Sequence, residues 1–185
     1  MQILVLSGSR NPEGETARAI EAISKGVAKA GGNTERFFLP ALNLEPCRQC
    51  ESDGWGVCRQ EERCIIDDDF SSLVDKIKSS DVIVFATPVY FRDLSESMRG
   101  FLDRLRRICA FKTPKPTQDI SAVGLCLAGG RGGGGPSACL NLENILQTCG
   151  FDVVDMIPLR RQNLDAKLQI LELIGAWLAT KPTSK

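Results

Sequence analysis

VIVFATPVYFRDLSESMRGFLDRLRRI, residues 82–108, changes periodicity partway along. Its first five residues are an unbroken apolar run, short enough for a strand and lacking the alternation that one wet face would impose. From Ser95 onward, Met98, Phe101, Leu102 and Leu105 form the apolar stripe of a helix, and Ser95 stands where its N-cap belongs. A strand buried on both faces, a loop and an amphipathic helix make up the repeating unit of a parallel sheet with helices on both sides.

The same unit recurs on either side. Strands are expected at Ile3–Leu6, Arg36–Leu39, Val82–Ala86, Ala122–Leu127 and Val153–Ile157. Between them lie helical patterns at Thr16–Ala30, at Phe70–Ile77 and at Pro136–Cys149, the last opened by proline and closed by Gly150. Asp67 to Asp69 sit where acidic caps belong, and Asn163 precedes a closing helix through Leu164, Leu168, Leu171, Ile174 and Trp177. Alternating strands and helices imply an α/β fold of three layers with right-handed crossovers, one domain over residues 1–185. The long irregular stretches are 40–66 and 108–119, and the closing KPTSK is expected to fray.

Composition narrows the function. Lys and Arg total 23 and so do Asp and Glu, leaving no basic excess for nucleic acid. The opening MQILVLSGSR lacks a basic leader, and its apolar run is too short for a membrane span, so a cytoplasmic location is expected. There is no histidine. That removes Ser-His-Asp and Cys-His catalysis, imidazole-bound zinc and an imidazole proton shuttle, and moves difficult chemistry onto a cofactor.

Three segments at expected strand ends are built for binding. SGSRNPEGETA, residues 7–17, leads small hydroxylated residues into a helix N-terminus, which favours a phosphate. It has neither the GxGxxG nor the Walker spacing. ATPVYFRDLS, residues 86–95, holds the sole tyrosine, Tyr90, beside Phe91, where a flat ring can stack. AGGRGGGGP, residues 128–136, has almost no side chains and lets backbone approach a ligand.

GSRNPEGET, TPVYFRDLSESMRGFLDR and AGGRGGGG together resemble the flavodoxin-like NADPH-dependent FMN reductases and their relatives, the iron-sulfur flavoproteins. The resemblance covers most of residues 1–160 and implies strand order 2-1-3-4-5, with FMN at the switch point between strands 1 and 3. It puts Ser9, Arg10 and Thr16 at the FMN phosphate, and Pro88, Val89, Tyr90 and Phe91 along the flavin. Gly129, Gly130, Arg131 and Gly132 fall at the ring's polar edge. Glu15 departs from the small polar residue common there, and its carboxylate would repel a phosphate unless it turns outward or caps the helix. The implied activity is NAD(P)H-dependent reduction of a flavin, quinone or similar small-molecule acceptor, in a homo-dimer or homo-tetramer.

PCRQCESDGWGVCRQEERC, residues 46–64, forms an excursion after strand 2 and spaces Cys47, Cys50, Cys58 and Cys64 as C-x2-C-x7-C-x5-C. The iron-sulfur flavoproteins carry a compact cluster motif here. The first pair and the last gap match it, while the central gap ESDGWGV is longer. The spacing fits neither ferredoxin run nor the paired knuckles of a four-cysteine zinc site. Three readings stay open: an iron-sulfur cluster of the 4Fe–4S kind, a zinc ion, or a packed loop without metal. With a cluster, the protein becomes an electron carrier between a ferredoxin and another acceptor. A further alternative is a non-enzymatic flavin- or zinc-binding module. Cys109, Cys126, Cys139 and Cys149 are scattered along a strand and helices and are expected to pack in the core. Asp103-Arg104 is expected to support the flavin loop or an interface.

Overall fold

The computed structural model describes residues 1–180, so KPTSK lies outside the described residues. A five-stranded parallel sheet runs through it in the order β2-β1-β3-β4-β5. Its strands are β1 (Gln2–Ser7), β2 (Asn33–Phe38), β3 (Val82–Pro88), β4 (Ser121–Ala128) and β5 (Asp152–Arg160). The helices are α1 (Glu15–Lys29), the single turn α2 (Cys58–Glu61), α3 (Phe70–Ser79), α4 (Glu96–Cys109), α5 (Gly135–Cys149) and α6 (Leu164–Thr180).

The continuous apolar runs are explained by burial on both faces. Leu4, Leu6, Ile83 and Phe85 point into a core shared with α3, α4 and α5. Their chain neighbours Ile3, Val5, Val82 and Val84 point the other way, onto α1 and α6. Each such side chain stabilises the fold by about 1.5–3 kcal/mol relative to exposure. On the second face the helix backbones touch: a Cβ on Gly26 of α1 would stand 1.8 Å from the Glu172 carbonyl oxygen, and one on Gly175 of α6 2.0 Å from that of Ile23.

Several boundaries differ from expectation for identifiable reasons. β5 continues through Pro158 to Arg160, because at the sheet's edge a missing N–H is tolerated. Ser95 caps α4 as expected, accepting from the Met98 N–H at 3.4 Å. Asn163 turns backward, its Oδ1 accepting from the Arg160 N–H at 3.2 Å, and α6 starts after it. Cys109, Cys126, Cys139 and Cys149 are all buried in the core shared with α3, α4 and α5. Among the described residues no helix is long and apolar enough to cross a membrane.

Candidate functional site

β1 and β3 are neighbours, and the loops leaving their carboxyl ends are locked together. The Gly8 N–H donates to the Ala86 carbonyl at 2.8 Å, and Ser97 Oγ donates to the Gly8 carbonyl at 3.1 Å. Thr87 Oγ1 reaches Ser95 Oγ at 3.2 Å and accepts from the Ser95 N–H at 3.1 Å. A Cβ on Gly8 would stand 2.3 Å from Ser95 Oγ, so only glycine permits this approach. The result is a rigid floor at the switch point of the sheet.

From that floor the first loop climbs to α1. Asn11 shapes it: its Oδ1 accepts from the Glu13 N–H, and its own N–H bonds to Ser9 Oγ at 3.2 Å. The N-cap, Gly14, offers no side chain, so no side-chain cap closes the first turn of α1. This uncapped first turn, the positive end of the helix dipole, borders a cavity together with Ser9 and Thr16, residues 7% and 4% exposed. The Glu15 carboxylate lies 3.9 Å from Arg161 Nε. Glu15 and Glu13 also border this cavity.

The loop after β3 folds back as a tight turn. Tyr90 and Asp93 exchange backbone hydrogen bonds of 3.0 and 2.9 Å. The two residues between them, Phe91 and Arg92, take φ of 49° and 69°, as a mirror-image turn demands. Asn-Gly usually fills such a turn, because left-handed backbone is unfavourable for bulky residues. Asp93 anchors it, its carboxylate accepting from the Leu94 N–H at 2.8 Å, Asn141 at 3.1 Å and Arg99 at 3.2 Å. Partial burial works against the charge, but these donors hold the carboxyl below its ordinary pKa.

Two cavities meet at Ser9 and Tyr90. The larger, about 770 Å³, is bordered by Ser9, Thr16, Pro88, Val89, Tyr90, Gly129 and Gly130. Of the other sequence candidates, Arg10 borders the second cavity, about 660 Å³, while Phe91, Arg131 and Gly132 border neither. Phe91 is fully exposed at the tip of its turn. Sequence reasoning passed over Asn11, Leu127 and Ser97, which the structure adds to this region. The Asn-Pro step and its turn propensity were the available signal for Asn11.

Cys47, Cys50, Cys58 and Cys64 all border a third, tight cavity of about 20 Å³, together with Gly54, Gly56, Ile66, Arg104 and Arg107. Its outer wall includes the exposed Cys50. All four are free thiols, and among the described residues no three thiols or carboxylates gather closely enough to hold a single ion. The donor set, four thiols with an apolar wall and two arginines, suits an anionic cluster. The cavity is closed up, so loading needs the loop to yield.

Arg104 borders this cavity and also the second one, beside Tyr90. Its terminal nitrogens bind Asp68 at 2.6 and 2.9 Å, with both side chains essentially unexposed. Asp68 also accepts from the N–H groups of Glu45 at 2.8 Å and Phe70 at 3.1 Å. Burial opposes its ionisation, yet these donors hold its carboxyl below the ordinary range. The acidic run before α3 was expected to cap it. Asp68 does bond to that first turn, but its main partner is 36 positions away in sequence.

Comparison with known proteins agrees with this geometry. The family model of the NADPH-dependent FMN reductases matches residues 1–163. An iron-sulfur flavoprotein of Methanocaldococcus jannaschii is 31% identical over 132 residues, 71% of this chain and 66% of that protein. One from Methanosarcina thermophila is 29% identical over 158 residues, covering 83% and 77% of the two chains. Among solved structures, an NAD(P)H:quinone oxidoreductase from Methanothermobacter marburgensis superposes with a TM-score of 0.78 at 20% identity, covering 100% and 99% of the two chains.

Proposed function

The chain belongs to the NADPH-dependent FMN reductase family, and we propose from that premise that it binds FMN non-covalently where its first and third strands end. The activity is NAD(P)H-dependent reduction of a flavin, quinone or similar small-molecule acceptor. One observation carries the placement: the uncapped first turn of α1, with Ser9 and Thr16, borders the same cavity as Tyr90. Ser9 and Thr16 hold the phosphate, with Arg10 on the neighbouring cavity that meets this one at Ser9. Pro88, Val89 and Tyr90 lie along the ring, and Gly129 and Gly130 bring backbone donors to its polar edge. Bound FMN would supply hydride acceptance from NAD(P)H and onward electron transfer, so no histidine is required. The chain's residues bind and orient the ring, and the ionised Asp93 keeps the Tyr90 turn in shape. Anaerobic titration with FMN, followed by NAD(P)H oxidation with a quinone acceptor, tests this. Failure to bind added FMN would overturn it.

A second reading is favoured by the convergence of four thiols on one cavity. Here Cys47, Cys50, Cys58 and Cys64 hold a 4Fe–4S cluster, and the protein carries electrons between a ferredoxin and another acceptor. The cluster supplies single-electron steps. An absorption spectrum of anaerobically purified protein, taken before and after dithionite, separates the two. A broad background that bleaches supports the cluster, and clean flavin bands leave the cysteine loop structural or zinc-bound. The fully exposed Phe91 supports a homo-oligomer in which a neighbour covers that turn. Eight free thiols support a cytoplasmic location.

A further inference from the structure

Arg104 is more elaborately held than support of a surface loop requires. Its guanidinium is 2% exposed, grips Asp68 with both terminal nitrogens, and donates from one of them to the Glu45 carbonyl at 3.0 Å. It also lies 4.1 Å above the Phe70 ring. Glu45 stands two residues before Cys47, and Asp68 four residues after Cys64. One side chain on α4 therefore closes both ends of the cysteine excursion.

One donor is left over. Arg104 Nε is buried and has no hydrogen-bond partner among the described residues. A buried donor left unmet costs about 1–3 kcal/mol, and more on a charged group. Burial works against the guanidinium's charge, but Asp68 and the Cys64 thiol together raise its pKa above the ordinary value. Cys64 borders the same tight cavity as Arg104 and is the thiol whose charge bears on the guanidinium. A neutral thiol is a weak acceptor, whereas a metal-bound thiolate is a strong one.

We propose that Arg104 is a positioning residue for the cysteine loop, whose Nε–H donates to the Cys64 sulfur once that sulfur is bound to iron. The inference rests on the cluster reading above. The orphaned donor is met in the loaded protein and unmet in the empty one, so Arg104 favours loading. A cationic donor on a ligand sulfur also stabilises the more negative, reduced cluster and raises its midpoint potential. Arg104 borders the Tyr90 cavity as well, which places this donor on the side of the cluster nearest the flavin loops.

The test uses the full chain, labelled with ¹⁵N-arginine, loaded anaerobically and assayed for iron and acid-labile sulfide. Pulsed electron paramagnetic resonance of the dithionite-reduced protein is expected to show a ¹⁵N coupling and one exchangeable proton near the cluster. Arg104→Lys, which keeps a cation beside Asp68, should lose both signals, take up less iron under limiting loading, and shift the midpoint potential of the cluster it does hold to more negative values. Arg107→Lys, at the other arginine bordering the cavity, should keep both signals. A cluster-bearing wild-type protein without the coupling overturns the proposal, as does a coupling that survives Arg104→Lys or vanishes in Arg107→Lys. Should Arg104→Lys fail to fold, the wild-type and Arg107→Lys spectra still decide. Absence of iron and sulfide after loading overturns the cluster reading itself and this inference with it, and the chemical assay tells the two failures apart.

Discussion

Arg104 and Asp68 meet through two parallel hydrogen bonds, 2.6 and 2.9 Å long, where solvent reaches neither side chain. Removing either partner leaves a buried charge alone, which is strongly destabilising, by about 3–5 kcal/mol. Asp68→Asn should be less stable than the wild type by that order at neutral pH. The pH dependence has a definite sign. The Asp68 carboxyl is held below the unfolded value of about 3.9, so its contribution is complete above that value and is lost as pH falls through the folded pKa. Chemical denaturation from pH 7 to pH 2 should therefore show the gap between wild type and Asp68→Asn closing only below about pH 4. A gap that stays constant down to pH 2 would mean that the loss in Asp68→Asn does not come from the charge of the carboxylate.

Thr16 tests the phosphate. A hydrogen bond to a charged group contributes about 1.5–3 kcal/mol, so Thr16→Val should weaken FMN about 10- to 100-fold. Riboflavin, which has no phosphate, should bind unchanged. Fluorescence titration of both flavins measures the difference, and equal losses would put the phosphate elsewhere.

Tyr90 borders both large cavities. Stacking beyond simple burial contributes about 0.5–1.5 kcal/mol, so Tyr90→Ala should weaken FMN about 3- to 10-fold and change its potential. Unchanged affinity and potential, read by spectroelectrochemical titration, would remove Tyr90 from the flavin site.

Arg92 pays for the turn it sits in. At φ 69° a residue with a Cβ is strained by about 1 kcal/mol or more, and glycine is not. Arg92→Gly should raise the midpoint of urea denaturation, with a gain of about 1 kcal/mol. A loss of stability would show that the arginine side chain makes up for the strain.

Gly175 lies on the far side of the sheet. A methyl group there would drive α6 away from α1, and overpacking of this kind costs about 1–3 kcal/mol. Gly175→Ala should lower thermal stability while the folded fraction binds FMN as tightly as the wild type. A parallel loss of affinity would mean that this helix pair shapes the site.

What could be read from the chain follows the range of the interactions. Val82–Ala86 and Met98–Leu105 declare themselves through local periodicity; the strand runs two residues further, and the helix begins directly after the expected cap at Ser95 but continues to Cys109. The strand expected at Val153–Ile157 runs on through Pro158, whose tolerance depends on β5 being an edge strand, which only the assembled sheet decides. The left-handed turn at Phe91 and Arg92 contradicts its own residue preferences, so no local rule announces it. Asp68 looked like a helix cap because the capping signal is local, whereas its pairing with Arg104 spans 36 positions. The flavin loops were legible as three separate motifs. That Ser9 and Tyr90 border the same two cavities was not.

The neck formed by Glu45, Asp68 and Arg104 also bears on how this chain can change. Because the excursion's ends are pinned to α4, the sheet and the loops around Tyr90 do not feel how much chain lies between them. Lengthening a flexible loop is cheap, about 0.6 kcal/mol for each doubling. The long ESDGWGV gap between Cys50 and Cys58 is then a variation the scaffold absorbs without moving its catalytic end. The segment behaves as an exchangeable cassette clipped on by one guanidinium, which descendants of this fold can extend, refit or empty while the loops at the ends of β1 and β3 stay as they are.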